Sequence, residues 1–223
     1  MISLLSLNLY YFLRRPWLKW IGQDHNVNNQ QHPSIIVVGC NKGDDFINLM
    51  QHFSGNQTYD TNKLLSLWKA DPDYSKAMKE YAERRSRWSA GFACGHQYLN
   101  HSDMNSSTLR ILPITGFCIE PLPATFAKLT QFMMRDLQLD NNEIRLVNQA
   151  MGARDHQGTA LFIDAPAGTT VVGLDTSVNV SHSQVRVKVS NLDTLISMNG
   201  ISNVDFLSID SEGTGGVLNM HHI

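Results

Sequence analysis

Ser34-Ile35-Ile36-Val37-Val38-Gly39-Cys40-Asn41-Lys42-Gly43-Asp44-Asp45 is the stretch that decides the fold. Its opening is an apolar, largely β-branched run with no alternation after Ser34. A run that short and that apolar predicts a strand buried on both faces, as in a parallel sheet. Two glycines then bracket a polar turn, residues 39–43. Beyond it, Phe46, Leu49, Met50 and Phe53 recur at i, i+3, i+4 and i+7, the stripe of an amphipathic helix. Strand, glycine turn and helix together open a Rossmann-like unit, whose ligand sits at the turn.

The residues of the turn restrict that ligand. A dinucleotide fingerprint, Gly-x-Gly-x-x-Gly, needs glycine at positions 41 and 44, and this chain has Asn41 and Asp44. A nicotinamide oxidoreductase is therefore disfavoured. Asp44 and Asp45 also put two negative charges where a pyrophosphate would meet the helix N-terminus. A ligand with a cationic part and no phosphate suits the turn, and S-adenosylmethionine carries an ammonium and a sulfonium. Gly39, Asn41, Gly43 and Asp44 are the candidate contacts. The competing reading is that the two aspartates only cap the helix.

A nucleoside-binding unit of this kind ends its next strand in an acid that holds both ribose hydroxyls, about 20 residues further on. Here the next strand-like run is 114–119, ending in Glu120-Pro121-Leu122-Pro123. Glu120 stands 81 positions after Gly39, so residues 54–112 read as an insertion. Within it, 62–87 has helical character, with acids and bases interleaved around Leu64, Leu65 and Trp68. That describes a solvated helix with one packed face rather than a nucleic-acid surface. Cys94, His96, His101 and Asp103 lack the paired spacing of structural zinc, so no metal is expected.

Pro121 and Pro123 end the strand and pre-set a helix start. Phe126, Leu129, Met133 and Leu137 make the stripe of that helix. Residues 145–148 read as a third strand, leading into Ala150 and Met151. Those two offer small and thioether surface either to a nucleobase or to the core. Residues 160–163 and 185–189 are short β-like runs around a Gly/Thr/Ser-rich stretch, 165–183, whose length suggests a functional lid or disorder. Leu192, Leu195 and Ile196 mark a helix closed by Asn199-Gly200. Residues 204–209 read as a fourth strand, followed by Asp210-Ser211-Glu212-Gly213.

Four segments, in order, resemble the FkbM-type methyltransferases: 38–44, 117–121, 192–195 and 204–213. The last carries the Ile-Asp-x-Glu-Gly core of that family as Ile209, Asp210, Glu212 and Gly213. The resemblance covers residues from about 34 to 218. It implies an α/β fold with a Rossmann-like class I methyltransferase sheet, S-adenosylmethionine as methyl donor, and O-methylation of an acceptor that is a small molecule, a glycan or a lipid. It implies that the 39–43 backbone faces the amino-acid part of the cofactor, that Glu120 holds the ribose, and that Asp210 faces Gly39. Asp210 and Glu212 are the catalytic candidates, as bases for the hydroxyl proton. Asp210 has a second reading, as a cofactor-orienting or turn-capping carboxylate.

Sheets of that family continue through three more strands, whereas this chain runs ten residues past Gly213. The expectation is a sheet incomplete after its fourth strand, self-association through the open edge, and weak or no activity alone. The alternative function is a non-catalytic or fragmentary relative that retains partial nucleoside binding.

Composition fits one domain with a short extra segment. The chain has 223 residues, 42% of them apolar and 17% charged, which excludes a disordered polymer. A formal net charge of −2 gives no basic footprint for nucleic acid. Three cysteines with no C-x-x-C pair predict reduced thiols. Residues 1–33 read as an N-terminal segment and linker, and 34–223 as the methyltransferase-like domain.

The apolar run 1–13 is shorter than the roughly 20 residues of a spanning helix. Arg14, Arg15 and Lys19 follow it, the reverse of a signal peptide. It suits a surface helix, an interfacial anchor with weak membrane contact, or an organelle-targeting leader. A cytoplasmic location is expected, with membrane association or targeting through residues 1–20 as the alternative.

Overall fold

A computed structural model describes residues 33–85, 113–152, 157–168 and 183–209. The described residues belong to one compact unit that begins at Pro33. The N-terminal segment, the candidate metal cluster around Cys94, and Asp210 and Glu212 lie outside them. In chain order the strands are β1 (Ser34–Val38), β2 (Thr115–Ile119), β3 (Ile144–Val147), β4 (Ala150–Met151), β5 (Gly158–Ile163), β6 (Gln184–Ser190) and β7 (Phe206–Ile209). The helices are α1 (Asp44–Ser54), α2 (Thr61–Ala70), α3 (Pro72–Arg85), α4 (Pro123–Thr130) and α5 (Leu192–Met198).

All five residues of β1 are buried, as the unalternating run predicted. The strand pairs in parallel with β2 on one side and β7 on the other, and β2 pairs in parallel with β3. The order is therefore β3-β2-β1-β7. The chain builds outward from β1 to β3 and then returns to the far side of β1. That reversal makes the carboxyl ends of β1 and β7 a topological switch point, the place where open α/β sheets take ligands. The fold is α/β, with a parallel four-stranded sheet compatible with a Rossmann-like unit.

Side chains alternate along β1 and so build two cores. Ile35 and Val37 join Phe46, Ile47 and Met50 of α1 with Leu64 and Trp68 of α2. Ile36 and Val38 join Phe117, Ile119 and Leu195 of α5 on the opposite face. Burying each large side chain of this kind stabilises the fold by about 1.5–3 kcal/mol. Gly116 lets α1 approach β2, because a Cβ there would collide with Phe46 and Met50.

Where one helical region was expected over 62–87, the described residues form two helices, α2 and α3, separated at Asp71, with residues 55–60 non-helical before them. The Asp60 carboxylate caps α2, accepting the Lys63 backbone N–H at 3.0 Å. Leu64 and Trp68 are buried while Asn62, Lys63, Ser66 and Lys69 are exposed, giving one packed face. Lys128 of α4 pairs with Asp71, the residue that ends α2.

Several details differ from the sequence reading. The stripe of α4 was expected to bury Phe126 and Leu137, but both are half-buried and Phe132 is buried instead. The cause is a π-helical continuation, Gln131–Asp136, closed by the Leu137 N–H on the Phe132 carbonyl five residues back. The wider turn brings the adjacent Phe132 and Met133 into the core together. Strand β3 begins one residue earlier than expected, at Ile144.

Strand β7 begins at Phe206 rather than 204. Before it, the Asp205 carboxylate accepts the Ser34 N–H at 2.8 Å, and the Asp205 N–H donates to the Ser34 carbonyl at 3.0 Å. The runs at 160–163 and 185–189 belong to a second sheet of order β4-β6-β5, with β5 and β6 antiparallel. Leu122, Ala150, Phe162 and Val187 form its core.

The expectation of reduced thiols is corrected. Cys40 and Cys118 form a disulfide, with Cα atoms 5.6 Å apart. The register opposes Val37 to Cys118 and Val38 to Ile119, so the chain leaving β1 passes beside Cys118. Among the described residues, no helix is long and apolar enough to cross a membrane.

Candidate functional site

The loop that leaves β1 is tied to β2 at its start. The Gly39 and Cys40 N–H groups both donate to the Ile119 carbonyl, at 2.9 and 3.1 Å. Asn41 follows with φ 47°, in the left-handed region that asparagine enters more readily than most residues. The Gly43 N–H then donates to the Cys40 carbonyl at 2.7 Å, closing the turn. Gly43 has φ 77°, and a Cβ there would strike Met133 and Leu129. The positive φ favours glycine here, and any Cβ would have to displace the ends of those two side chains.

Gly43 is the N-cap of α1, and a glycine has no side chain with which to cap. The reading of Asp44 and Asp45 as N-caps is therefore corrected; they are the first two residues of the helix. Asp45 is exposed. Asp44 is 5% exposed, and its Oδ2 has no hydrogen-bond partner among the described residues. A buried carboxylate oxygen without a donor is costly and invites one.

Glu120 is the second acid of the site, at the carboxyl end of β2. It is 4% exposed. Its Oε2 accepts the Asn41 backbone N–H at 2.8 Å, and its Oε1 accepts the Leu122 N–H at 2.9 Å. The acid therefore grips the glycine loop directly. Its main chain is also held, by the Glu120 N–H on the Val147 carbonyl at 3.0 Å and by Asn148 Nδ2 on the Glu120 carbonyl at 2.9 Å. Burial raises the Glu120 pKa, the two backbone N–H bonds oppose the rise, and the result is about 7.

Gly39, Asn41, Gly43, Asp44 and Glu120 are thus brought to one loop and the strand end beside it. Ala150 is not on an open wall. It is 8% exposed and packs with Leu122, Phe162 and Val187. Met151 is half-buried against the cluster of Ile36, Val38 and Phe117. Asp210 and Glu212 lie outside the described residues, but Ile209, the residue before Asp210, pairs with Val38, the residue before Gly39.

Two residues that support the site escaped the sequence reading. Trp68 donates its indole N–H to the Lys42 carbonyl at 2.9 Å. Asn148 anchors the peptide that carries Glu120. Trp68 was legible only as one side chain of a packed stripe, and Asn148 only as the end of a strand. No group of three or more His, Cys, Asp or Glu among the described residues could hold a metal ion. Compared with protein-family models, with curated proteins and with solved structures, the chain matches none.

Proposed function

We propose that the chain is a class I methyltransferase of the FkbM type, binding S-adenosylmethionine beside the 39–43 loop and methylating a hydroxyl oxygen. One observation carries the reading: a buried carboxylate ends β2 and holds the backbone of the glycine loop that ends β1. Each Glu120 oxygen accepts one backbone N–H and keeps lone-pair capacity for another donor. Two neighbouring ribose hydroxyls would find two acceptors there.

Asp44 supports the same ligand class. Its unbonded, buried oxygen suits an ammonium, which brings both N–H donors and a compensating charge. Phosphate groups carry the wrong sign for both acids. Met151 offers thioether surface for an adenine ring. Bound S-adenosylmethionine supplies a methyl group on a sulfonium, open to in-line attack by oxygen. The contribution of this chain is orientation and electrostatics, with Asp210 or Glu212 taking the proton of the attacking hydroxyl. The acceptor is a small molecule, a glycan or a lipid.

Melting temperatures with S-adenosylmethionine, S-adenosylhomocysteine and NAD test the proposal. The first two should raise the melting point and NAD should not. Glu120→Ala should weaken S-adenosylhomocysteine binding by about 1.5–3 kcal/mol, the range for hydrogen bonds to a charged group. Stabilisation by NAD alone would replace this reading with a nicotinamide site.

A further inference from the structure

The Lys42–Gly43 peptide is held at both ends. Its N–H, on Gly43, donates to the Cys40 carbonyl at 2.7 Å. Its carbonyl, on Lys42, accepts the Trp68 indole N–H at 2.9 Å. Trp68 comes from α2, 26 residues further along the chain. The plane of that peptide sets the direction of the Gly43 turn and, through it, the start of α1 at Asp44.

The surroundings of Trp68 make the bond specific. The side chain is 1% exposed. Its ring meets Phe132 edge to face at 5.1 Å and Tyr74 at 5.3 Å. The rest of its cluster is apolar, including Leu64, Leu129 and Met133. A buried indole N–H in such a place needs an acceptor, and the loop carbonyl is the one it has. The ring supplies packing, and the polar atom has its use at the loop.

We propose that Trp68 is a positioning residue for the ligand loop, using its indole N–H to lock the Lys42–Gly43 peptide in the orientation that binds ligand. The inserted helix α2 is then a brace of the site rather than an appendage. Glu120 holds the loop from the β2 side through Asn41, and Trp68 holds it from the α2 side through Lys42. The two grips fall on consecutive residues and on opposite peptide polarities, an N–H and a carbonyl. This inference rests on the reading of the 39–43 loop as the ligand loop.

The test compares Trp68→Phe, which keeps a ring on Phe132 and Tyr74 and removes the donor, with Phe132→Leu, which loosens the same cluster and leaves the donor. Amide hydrogen exchange by mass spectrometry is read first, without ligand. Trp68→Phe should speed exchange across residues 39–44 about tenfold and leave the β1 amides unchanged. Phe132→Leu should lower the melting temperature and leave loop exchange within twofold of the parent. Calorimetry with S-adenosylhomocysteine should then show about tenfold weaker binding for Trp68→Phe alone.

Parent-like loop exchange in Trp68→Phe overturns the proposal, as does an equal loss of affinity in Phe132→Leu. If Trp68→Phe fails to fold, the indole N–H resonance of Trp68 in the parent chain decides. It should shift when S-adenosylhomocysteine is added, and an unmoved signal at saturation overturns the proposal. A parent chain that binds no S-adenosylhomocysteine refutes the methyltransferase reading, while the exchange contrast still decides whether Trp68 sets the loop.

Discussion

Glu120 accepts the Asn41 backbone N–H at 2.8 Å across 79 positions of chain. Through that bond the acid closing β2 shapes the loop closing β1. The charge on Glu120 and the geometry of the loop are therefore linked, and the linkage is open to titration.

The Glu120 pKa is raised from an ordinary carboxylate value of 4.5 to about 7, chiefly by burial. The folded state thus holds its proton more tightly than the unfolded state. The stabilising contribution is full below about pH 4.5, declines as pH rises, and is lost above about pH 7. At 1.36 kcal/mol per unit the change is about 3 kcal/mol. Urea unfolding of the parent and of Glu120→Leu across this range should show their stability difference falling by that order. A difference flat from pH 4 to 8 would remove the perturbed acid.

Ligand hydroxyls that donate to Glu120 favour its charged form and pull its pKa down. S-adenosylhomocysteine should therefore bind more tightly at pH 8 than at pH 6, and its binding near pH 6.5 should release up to one proton. Calorimetric titrations in buffers of different ionisation enthalpy measure that number. Enthalpies that do not vary with buffer would mean that the ligand leaves Glu120 untouched.

Gly43→Ala should destabilise the fold by about 3 kcal/mol, adding left-handed backbone strain to overpacking. The new methyl group meets Met133 and Leu129. In a Met133→Ala background, which is itself destabilised because Met133 is buried, the further loss from Gly43→Ala should be smaller, since one of the two obstacles is gone. Chemical denaturation of the parent, the two single variants and the double variant gives the comparison. An alanine at 43 with parent stability would contradict the observed turn.

The Cys40–Cys118 disulfide closes a loop across a sequence separation of 78. Alkylation of the denatured, unreduced chain should label one cysteine of three, namely Cys94, and all three after reduction. In the chain-entropy account such a link is worth about 4.5 kcal/mol, so reduction should lower the melting temperature distinctly. Three labels without reductant would show the pair to be thiols.

What the sequence revealed was local, and what it concealed was tertiary. The β1 strand, the glycine loop and α1 were legible because an apolar run, two glycines and a helical stripe are each contiguous. Glu120 was legible because it ends a strand and precedes Pro121. The disulfide was not, since it depends on the register that sets Val37 opposite Cys118. The grip of Trp68 on Lys42 depends on how α2 folds back onto the loop, which no spacing encodes. Leu122, Phe162 and Val187 meet only once the second sheet has assembled, so residues 160–163 and 185–189 read as isolated runs. The π-helical turn likewise answers to packing, since it delivers Phe132 to the face of Trp68.

The position of β1 at the centre of its sheet has a consequence for biosynthesis. Ser34 bonds with Asp205, 171 positions later, and its other neighbour, β2, begins at Thr115. At about 5–20 residues per second, roughly 10–30 s separate the emergence of Ser34 and Asp205 from a ribosome. Throughout that interval Ile35, Ile36, Val37 and Val38 have no complete pairing. The most apolar strand of the domain is made early and sheltered late. Until then the nascent chain presents a bare apolar strand, and any slowing of synthesis after residue 119 lengthens the exposure.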